Sequence, residues 1–344
     1  MISQVSIQNF GPFTHLNWDT QNHINLLIGT NDTGKTYLLK ALYCIVKSLE
    51  EYTKRQQSDR EPWKEILADK LYWTFQVGPN GLGEIVNKSE GRLRVSAELL
   101  EKSYYFAFGK DTTRRILDCS DVKEPVTALN TLFLPPKEVL TALEAIAATR
   151  EQLHIFGFDD TYQDLITALR LPPQKSNLPQ RLNKVLQSLE KVFEGEVVKE
   201  GKEFLFRRGR ERYSMSQTAE GIKKIGILTT LIKNGNLNKN TILFIDEPET
   251  NLHPLAVFEL VTMLFELSSI GVQVIIATHS YFVVKQFEML SRKYNKPVQL
   301  SSLIRDGRAI SLKSASLQWG MPDNLLVEAS IKQYEEEVLL DLGA

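Results

Sequence analysis

The octapeptide Gly29-Thr30-Asn31-Asp32-Thr33-Gly34-Lys35-Thr36 constrains this chain more than any other stretch. It satisfies G-x-x-x-x-G-K-[ST] at every fixed position. The apolar run Ile24-Asn25-Leu26-Leu27-Ile28 reads as a strand entering the loop, and Leu38, Leu39, Leu42 and Ile45 mark one side of a helix leaving it. In such a setting glycines let the backbone N–H groups wrap closely around phosphate oxygens. Gly29, Asn31, Asp32, Thr33 and Gly34 are the expected cradle, Lys35 sets a positive charge on the outer phosphates, and the Thr36 hydroxyl is placed to ligate Mg²⁺. The bland alternative is a glycine loop that merely precedes a helix.

Two further apolar strands end in chemistry-bearing residues. Thr241-Ile242-Leu243-Phe244-Ile245 runs into Asp246-Glu247, and Ile275-Ile276-Ala277 runs into Thr278-His279-Ser280. One strand–helix–strand step separates them, so both ends are expected on one edge of a parallel sheet, where ligands bind. Asp246 is expected to hold Mg²⁺, directly or through water, and Glu247 to polarise an attacking water as general base. Two acids after a strand also suit a helix N-cap, worth about 1 kcal/mol. His279 is placed to hydrogen-bond a terminal phosphate and sense its loss; a lone histidine would otherwise be structural.

The 344 residues leave room for about two units of ~150 residues, or for one large α/β domain with insertions. Lys plus Arg number 41 and Asp plus Glu 42, a net charge of −1, which excludes a grip on nucleic acid by bulk positive charge and leaves only a local basic patch open. Cys44 and Cys119 cannot build a disulfide scaffold or a four-cysteine zinc site, and the histidines have no metal-site spacing. No apolar run approaches the ~18 residues of a membrane span, and the first residues lack signal-peptide character, so a cytoplasmic setting without a membrane is expected.

Ile2 to Ile7 alternates as a half-buried strand, Asn9-Phe10-Gly11-Pro12-Phe13 turns it, and Leu16 to Trp18 returns. Residues 47–70 continue the first helix as a charged helical segment. Leu93 to Val95 and Tyr104 to Phe108 read as short strands among glycines, and Thr131 to Leu134 is a strand that Pro135-Pro136 stops. Helices are expected over 138–170, 181–194, 221–233 and 254–269, with a hairpin over 196–214 turning at Gly201 or Gly209. The expected architecture is α/β with a mixed or parallel central sheet. Its core comes from 1–46 and 196–344, and 47–195 is inserted as a helical and β arm that returns one core strand near 131–134.

Phosphate loop, long insertion, Asp-Glu after a strand and strand-end histidine, in that order, resemble the ABC-class ATPases. Asp246-Glu247-Pro248-Glu249-Thr250-Asn251-Leu252-His253-Pro254 and Ala277-Thr278-His279-Ser280 resemble more narrowly the overcoming-lysogenization-defect branch, related to the heads of chromosome-maintenance and double-strand-break-repair ATPases. The opening Asn9 to Phe13 is typical as well; the middle of the chain matches weakly. The resemblance implies a P-loop NTPase head of the ABC type that uses ATP and Mg²⁺ and works as a head-to-tail homodimer. A signature helix of each chain then contacts the ATP of the other. Its counterpart is Ser216-Gln217-Thr218-Ala219-Glu220-Gly221-Ile222-Lys223-Lys224, a helix start suited to face a γ-phosphate. Ala219 and Glu220 depart from the usual serine–glycine–glycine, leaving Thr218 or Ser216 as hydroxyl donor beside Gly221; a plain capped helix is the alternative.

The resemblance also offers Gln76 as the glutamine that senses Mg²⁺ and substrate, or else as an ordinary strand residue. His253 falls in the loop that crosses the dimer interface, with helix capping as the other role. Leu134-Pro135-Pro136-Lys137-Glu138 either approaches the nucleotide or is a strand stop before a helix. Lys202, Arg207, Arg208, Arg210 and Arg212 either touch phosphate backbones or form a solvated edge diluted by Glu203 and Glu211. No Asp-x-Asp pair follows His279, so the toprim nuclease of many relatives is not expected; Trp319, Pro322 and Glu335-Glu336-Glu337 suggest a closing helix. The function implied is an ATP-hydrolysing head whose closure regulates a separately encoded effector, such as a nuclease or toxin in prokaryotic anti-phage defence. Alternatives are a DNA-tethering head, a transporter subunit and a P-loop kinase. The arm lacks coiled-coil heptads, the loop after Glu247 argues against a transporter, and a kinase does not account for His279.

Overall fold

The computed structural model describes residues 1–55, 61–88, 91–126, 129–174, 178–201, 203–324, 326–328 and 336–338. A hairpin of β1 (Ile2–Phe10) and β2 (Phe13–Asp19) opens the chain, which then enters the buried strand β3 (Ile24–Gly29) and helix α1 (Lys35–Arg55). Helix α2 (Trp63–Phe75) precedes strands β4 (Leu93–Leu99), β5 (Lys102–Phe108), β6 (Asp118–Cys119) and β7 (Asn130–Leu134). Next come helices α3 (Leu143–Ala147), α4 (Asp160–Leu169) and α5 (Gln180–Val192). A meander of β8 (Glu196–Glu200), β9 (Glu203–Arg208) and β10 (Glu211–Ser214) leads to helix α6 (Glu220–Lys233). The chain continues through β11 (Thr241–Asp246), α7 (Pro254–Ser269), β12 (Gln273–Ala277) and α8 (Tyr281–Tyr294) to the antiparallel pair β13 (Gln299–Asp306) and β14 (Ala309–Ser316).

The central sheet has the order β14-β13-β3-β12-β11-β7. All its neighbours run parallel except β14. Its middle strands are apolar on both sides because both faces are covered. Leu26, Ile28, Leu243, Ile245 and Ile276 pack with Leu189, Leu231, Leu260 and Phe287 of the helices α5 to α8. Leu27, Phe133, Phe244 and Ile275 point the other way, onto Leu38, Leu42 and Tyr43 of α1 and onto the second sheet. Helix α1 therefore lies between two sheets.

That second sheet has the order β2-β1-β4-β5-β6. Residues 47–195 consequently do not form a separate arm. Helix α1 runs straight through the expected boundary at 46, and β4 pairs with β1 from Gln8↔Arg94 to Ile2↔Leu99. The reason is burial. Leu93, Val95, Ala97 and Leu99 alternate with polar residues, and one hairpin is too small to bury such a face alone. Strand β7 pairs in parallel with β11 in the central sheet. The meander turns at both Gly201 (φ +62) and Gly209 (φ +59) rather than at one. Strands β13 and β14 lie in a stretch for which the sequence announces no element; beyond them, where a closing helix is expected, 326–328 and 336–338 are helical. Lys202 and Glu335 lie outside the described residues. Among these residues no helix is long and apolar enough to cross a membrane.

Two polar staples join the layers. The Trp18 indole N–H donates to the Ser301 hydroxyl at 2.8 Å. The Gln273 side chain accepts from the Ile2 N–H at 2.8 Å and donates to the Ile2 and Thr20 carbonyls, also at 2.8 Å. Trp18 is fully buried, so Trp18→Ala is expected to cost about 3–5 kcal/mol in chemical denaturation. A loss below 1 kcal/mol would show that this contact does not hold the sheets together. At the far end of α1, Glu51 ion-pairs with buried Lys70 at 2.7 Å, and Asp160 and Asp164 hold the same ammonium at 3.0 and 2.9 Å.

Candidate nucleotide site

The loop between β3 and α1 is shaped by close approach. Gly34 adopts φ +85°, and a Cβ there would lie 2.5 Å from Pro12 Cγ and 2.8 Å from Phe13 Cζ. A Cβ on Gly29 would lie 2.9 Å from the Leu303 carbonyl oxygen. Only glycine fits either position. The Asn9 to Phe13 turn thus packs beneath the phosphate loop. The Thr33 hydroxyl donates to the Thr30 carbonyl at 2.8 Å. Lys35 curls back, its ammonium donating to the carbonyls of Gly29 at 3.0 Å and Thr30 at 2.9 Å. Burial lowers the Lys35 pKa, opposed by the carboxylates of Asp246, Glu247 and Glu249. Asn31 and Asp32 are exposed, and Arg305 at the end of β13 reaches the Asp32 carboxylate at 3.3 Å.

Strands β11 and β12 pair in parallel with Asp246 opposite Ala277, so Asp246-Glu247 and Thr278-His279 emerge together. The Thr36 hydroxyl donates to Asp246 Oδ2 at 2.8 Å. Burial pushes the Asp246 carboxyl up, and the Thr36 hydrogen bond acts against it. A hydroxyl and a carboxylate held together are hard oxygen donors of the kind Mg²⁺ takes, so these residues fit that ion.

Glu247 turns the chain through φ +50°, a left-handed conformation that costs a non-glycine residue free energy. Its N–H donates to the Ala277 carbonyl at 2.9 Å. Its carboxylate accepts from the Thr250 hydroxyl at 3.2 Å and lies 3.5 Å from His279 Nε2. Glu249 Oε1 accepts from both the Thr278 hydroxyl at 2.8 Å and the His279 N–H at 2.9 Å, which fixes the histidine's backbone. Burial first, and then Lys35, lower the His279 pKa, against the pull of Glu247 and Glu249.

Gln76 is not on a strand. It ends α2 in a left-handed conformation, φ +48°, after Phe75, whose ring lies 4.9 Å from that of Tyr37. Its Nε2 is buried without a hydrogen-bond partner. The strand beside β11 is β7, in register Ile245↔Leu134. The position alongside Asp246 therefore belongs to Pro135 and the residues after it, so the segment 134–138 is both a strand stop and a neighbour of the site. Thr218 donates its hydroxyl to the Met215 carbonyl at 2.8 Å. Gly221 packs against the loop after Glu247, since a Cβ would lie 2.8 Å from Leu252 Cδ2 and 3.1 Å from the Asn251 oxygen. Among the described residues no hydrogen bond or ion pair joins 216–221 to the phosphate loop of the same chain. His253 caps α7, its Nδ1 accepting from the Leu255 N–H at 3.3 Å. Arg207 and Arg212 pair with Glu196 and Glu200, which makes the meander a solvated edge.

Several neighbours escaped sequence reasoning. Lys40, one turn beyond Thr36, bonds Asp159 at 2.7 Å and adds its charge to the field at Asp246. Burial and then Asp159 and Asp246 push the Tyr162 phenol up to about 12. Lys224 on α6 is 3% exposed, and its ammonium donates to the Glu247 carbonyl at 2.6 Å. Burial pushes Lys224 down to about 8 from 10.5, against the pull of Glu249, Glu247 and Asp246. Between those two pH values the unfolded chain holds one more proton at this residue than the folded chain. Stability therefore rises with pH there, by about 3 kcal/mol in all at ~1.4 kcal/mol per pH unit. Relative to Lys224→Met, the wild-type chain is expected to gain stability from pH 8 to pH 10; parallel unfolding curves would remove this assignment.

These features define a P-loop NTPase fold with the architecture of an ABC-type ATPase head. A family described as "AAA domain, putative AbiEii toxin, Type IV TA system" matches residues 133–285, and one described as "AAA ATPase domain" matches residues 1–90. The chain is thus similar to ATPase domains over residues 1–90 and 133–285. No protein of curated function matches it. Among solved structures it is similar to an SMC head bound to the C-winged helix domain of ScpA, with 11% identity over 92% of this chain and 98% of that one and a TM-score of 0.54. Weaker similarity extends to the SMC head domain of Thermotoga maritima, with 13% identity, 91% and 98% coverage and a TM-score of 0.47. An SMC head with extended coiled coil, bound to the C-terminal domain of ScpA derived from Pyrococcus furiosus, gives 10%, 97% and 98%, and 0.48.

Proposed function

We propose that the chain hydrolyses ATP and that two copies close head to tail over the nucleotide. The observation that carries this reading is the convergence of Thr36, Asp246, Glu247 and His279 at adjoining element ends, with Thr36 and Asp246 2.8 Å apart. The phosphate loop's N–H groups and Lys35 bind the phosphates. Thr36 and Asp246 would hold Mg²⁺, which neutralises charge on the outer phosphates. Glu247 orients a water and accepts its proton at the carboxylate, while His279 hydrogen-bonds the terminal phosphate. The partner copy's Thr218 and Gly221 close the site, and loss of the γ-phosphate reopens it.

The closure is proposed to regulate a separately encoded effector, in the manner of the overcoming-lysogenization-defect relatives and in prokaryotic anti-phage defence. The residues 246–254 and 277–280 support this, as does the toxin–antitoxin description of the family matching 133–285. A DNA-tethering head is the second reading, favoured by the fold it shares with an SMC head. The test is capture with Glu247→Gln in ATP. A co-purifying protein supports the effector reading. Nucleic acid, bound in a salt-sensitive way, supports tethering.

A further inference from the structure

We infer that Lys224 is a positioning residue for Glu247: it holds that residue's backbone in the conformation that aims the carboxylate at the attacking water. The inference rests on the proposed role of Glu247 as base. Three observations carry it. First, Glu247 stands at φ +50°, which must be imposed by its surroundings. Second, the Glu247 carbonyl is held from two sides, by the Thr250 N–H at 3.3 Å and by the Lys224 ammonium at 2.6 Å. The second is a charge-assisted contact in a buried place, and so the stronger one. Third, the start of α6 touches the same loop again one turn earlier, where Gly221 leaves no room for a side chain against Asn251 and Leu252. The loop after Glu247 is thereby indexed to α6 at two points.

Lys224 reaches the carbonyl, not the carboxylate, of Glu247. It therefore leaves the acid free to take a proton while fixing where the acid points. Burying a long, flexible, cationic side chain is costly unless it is paired and hydrogen-bonded, and here the Glu247 carbonyl accepts its hydrogen bond while the carboxylates of Glu249, Glu247 and Asp246 offset part of the cost.

The experiment compares wild type with Lys224→Met and Lys224→Arg, reading single-turnover ATP hydrolysis, the dissociation constant for ATP and ATP-dependent dimer formation. Lys224→Met is expected to slow hydrolysis 10- to 100-fold while ATP affinity stays within about twofold and the dimer still forms. Lys224→Arg, which keeps a charged donor, is expected to recover most of the rate. Hydrolysis within twofold of wild type in Lys224→Met overturns the inference, as does a parallel loss of affinity and rate that arginine does not rescue. Should the methionine variant not fold, Lys224→Gln replaces it under the same criteria. Glu247→Gln separates this inference from the reading beneath it. If that variant hydrolyses ATP normally, the base assignment itself falls; if it is inert while Lys224→Met runs at full speed, only the positioning role falls.

Discussion

Glu247→Gln is expected to retain ATP and lose its hydrolysis, with a single-turnover rate about 10²- to 10⁴-fold below wild type. The amide keeps the shape of the side chain and its contact with Thr250, 3.2 Å away, but cannot accept a proton from water. The phosphate loop, Thr36 and Asp246 are untouched, so affinity for ATP is expected to change little. A closed dimer that needs hydrolysis to open should then accumulate, and size-exclusion chromatography with and without ATP reads that directly. Wild-type turnover in this variant would take Glu247 out of the base role.

The opposite failure is expected for Lys35→Ala. The ammonium is buried and donates to the Gly29 and Thr30 carbonyls, at 3.0 and 2.9 Å. Phosphate oxygens offer it a full negative charge instead. A charge-assisted hydrogen bond is worth about 1.5–3 kcal/mol, so titration calorimetry should show ATP affinity lower by roughly 10- to 100-fold. Unchanged affinity would mean that the loop binds phosphate through its backbone alone.

Local pattern carried much of this fold. β3, β11 and β12 are short apolar runs ending in Gly29, Asp246 and Ala277, and such runs suit a sheet covered on both faces. Long-range pairing did not show in the same way. Val95 and Phe106 announce strands, but nothing local says that β4 will seek β1, which lies far away in the chain. β13 and β14 lack a clean alternating pattern: β13 buries Ser301 among its apolar residues, and the exposed side of β14 carries Ser311, Lys313 and Ser314, a composition that also suits a tail. At the site, Thr36, Asp246, Glu247 and His279 sit on element ends whose order dictates their meeting. That Gln76 ends a helix and does not lie on a strand depends on where α2 stops, which no local pattern marks. Lys224 was silent because a lysine on a helix is ordinary until the helix's rotation aims it at one carbonyl.

Helix α1 begins at the phosphate loop and ends, 21 residues on, beside the Lys70 cluster. At ~1.5 Å per residue that is a rod of roughly 30 Å. Because it is gripped by a sheet on either side, a tilt imposed at one tip has no soft layer in which to dissipate. Gain or loss of a phosphate should thus be felt as a displacement at Glu51 and its salt-bridge companions, which makes the remote surface over α2 and α4 a natural dial on the state of the nucleotide.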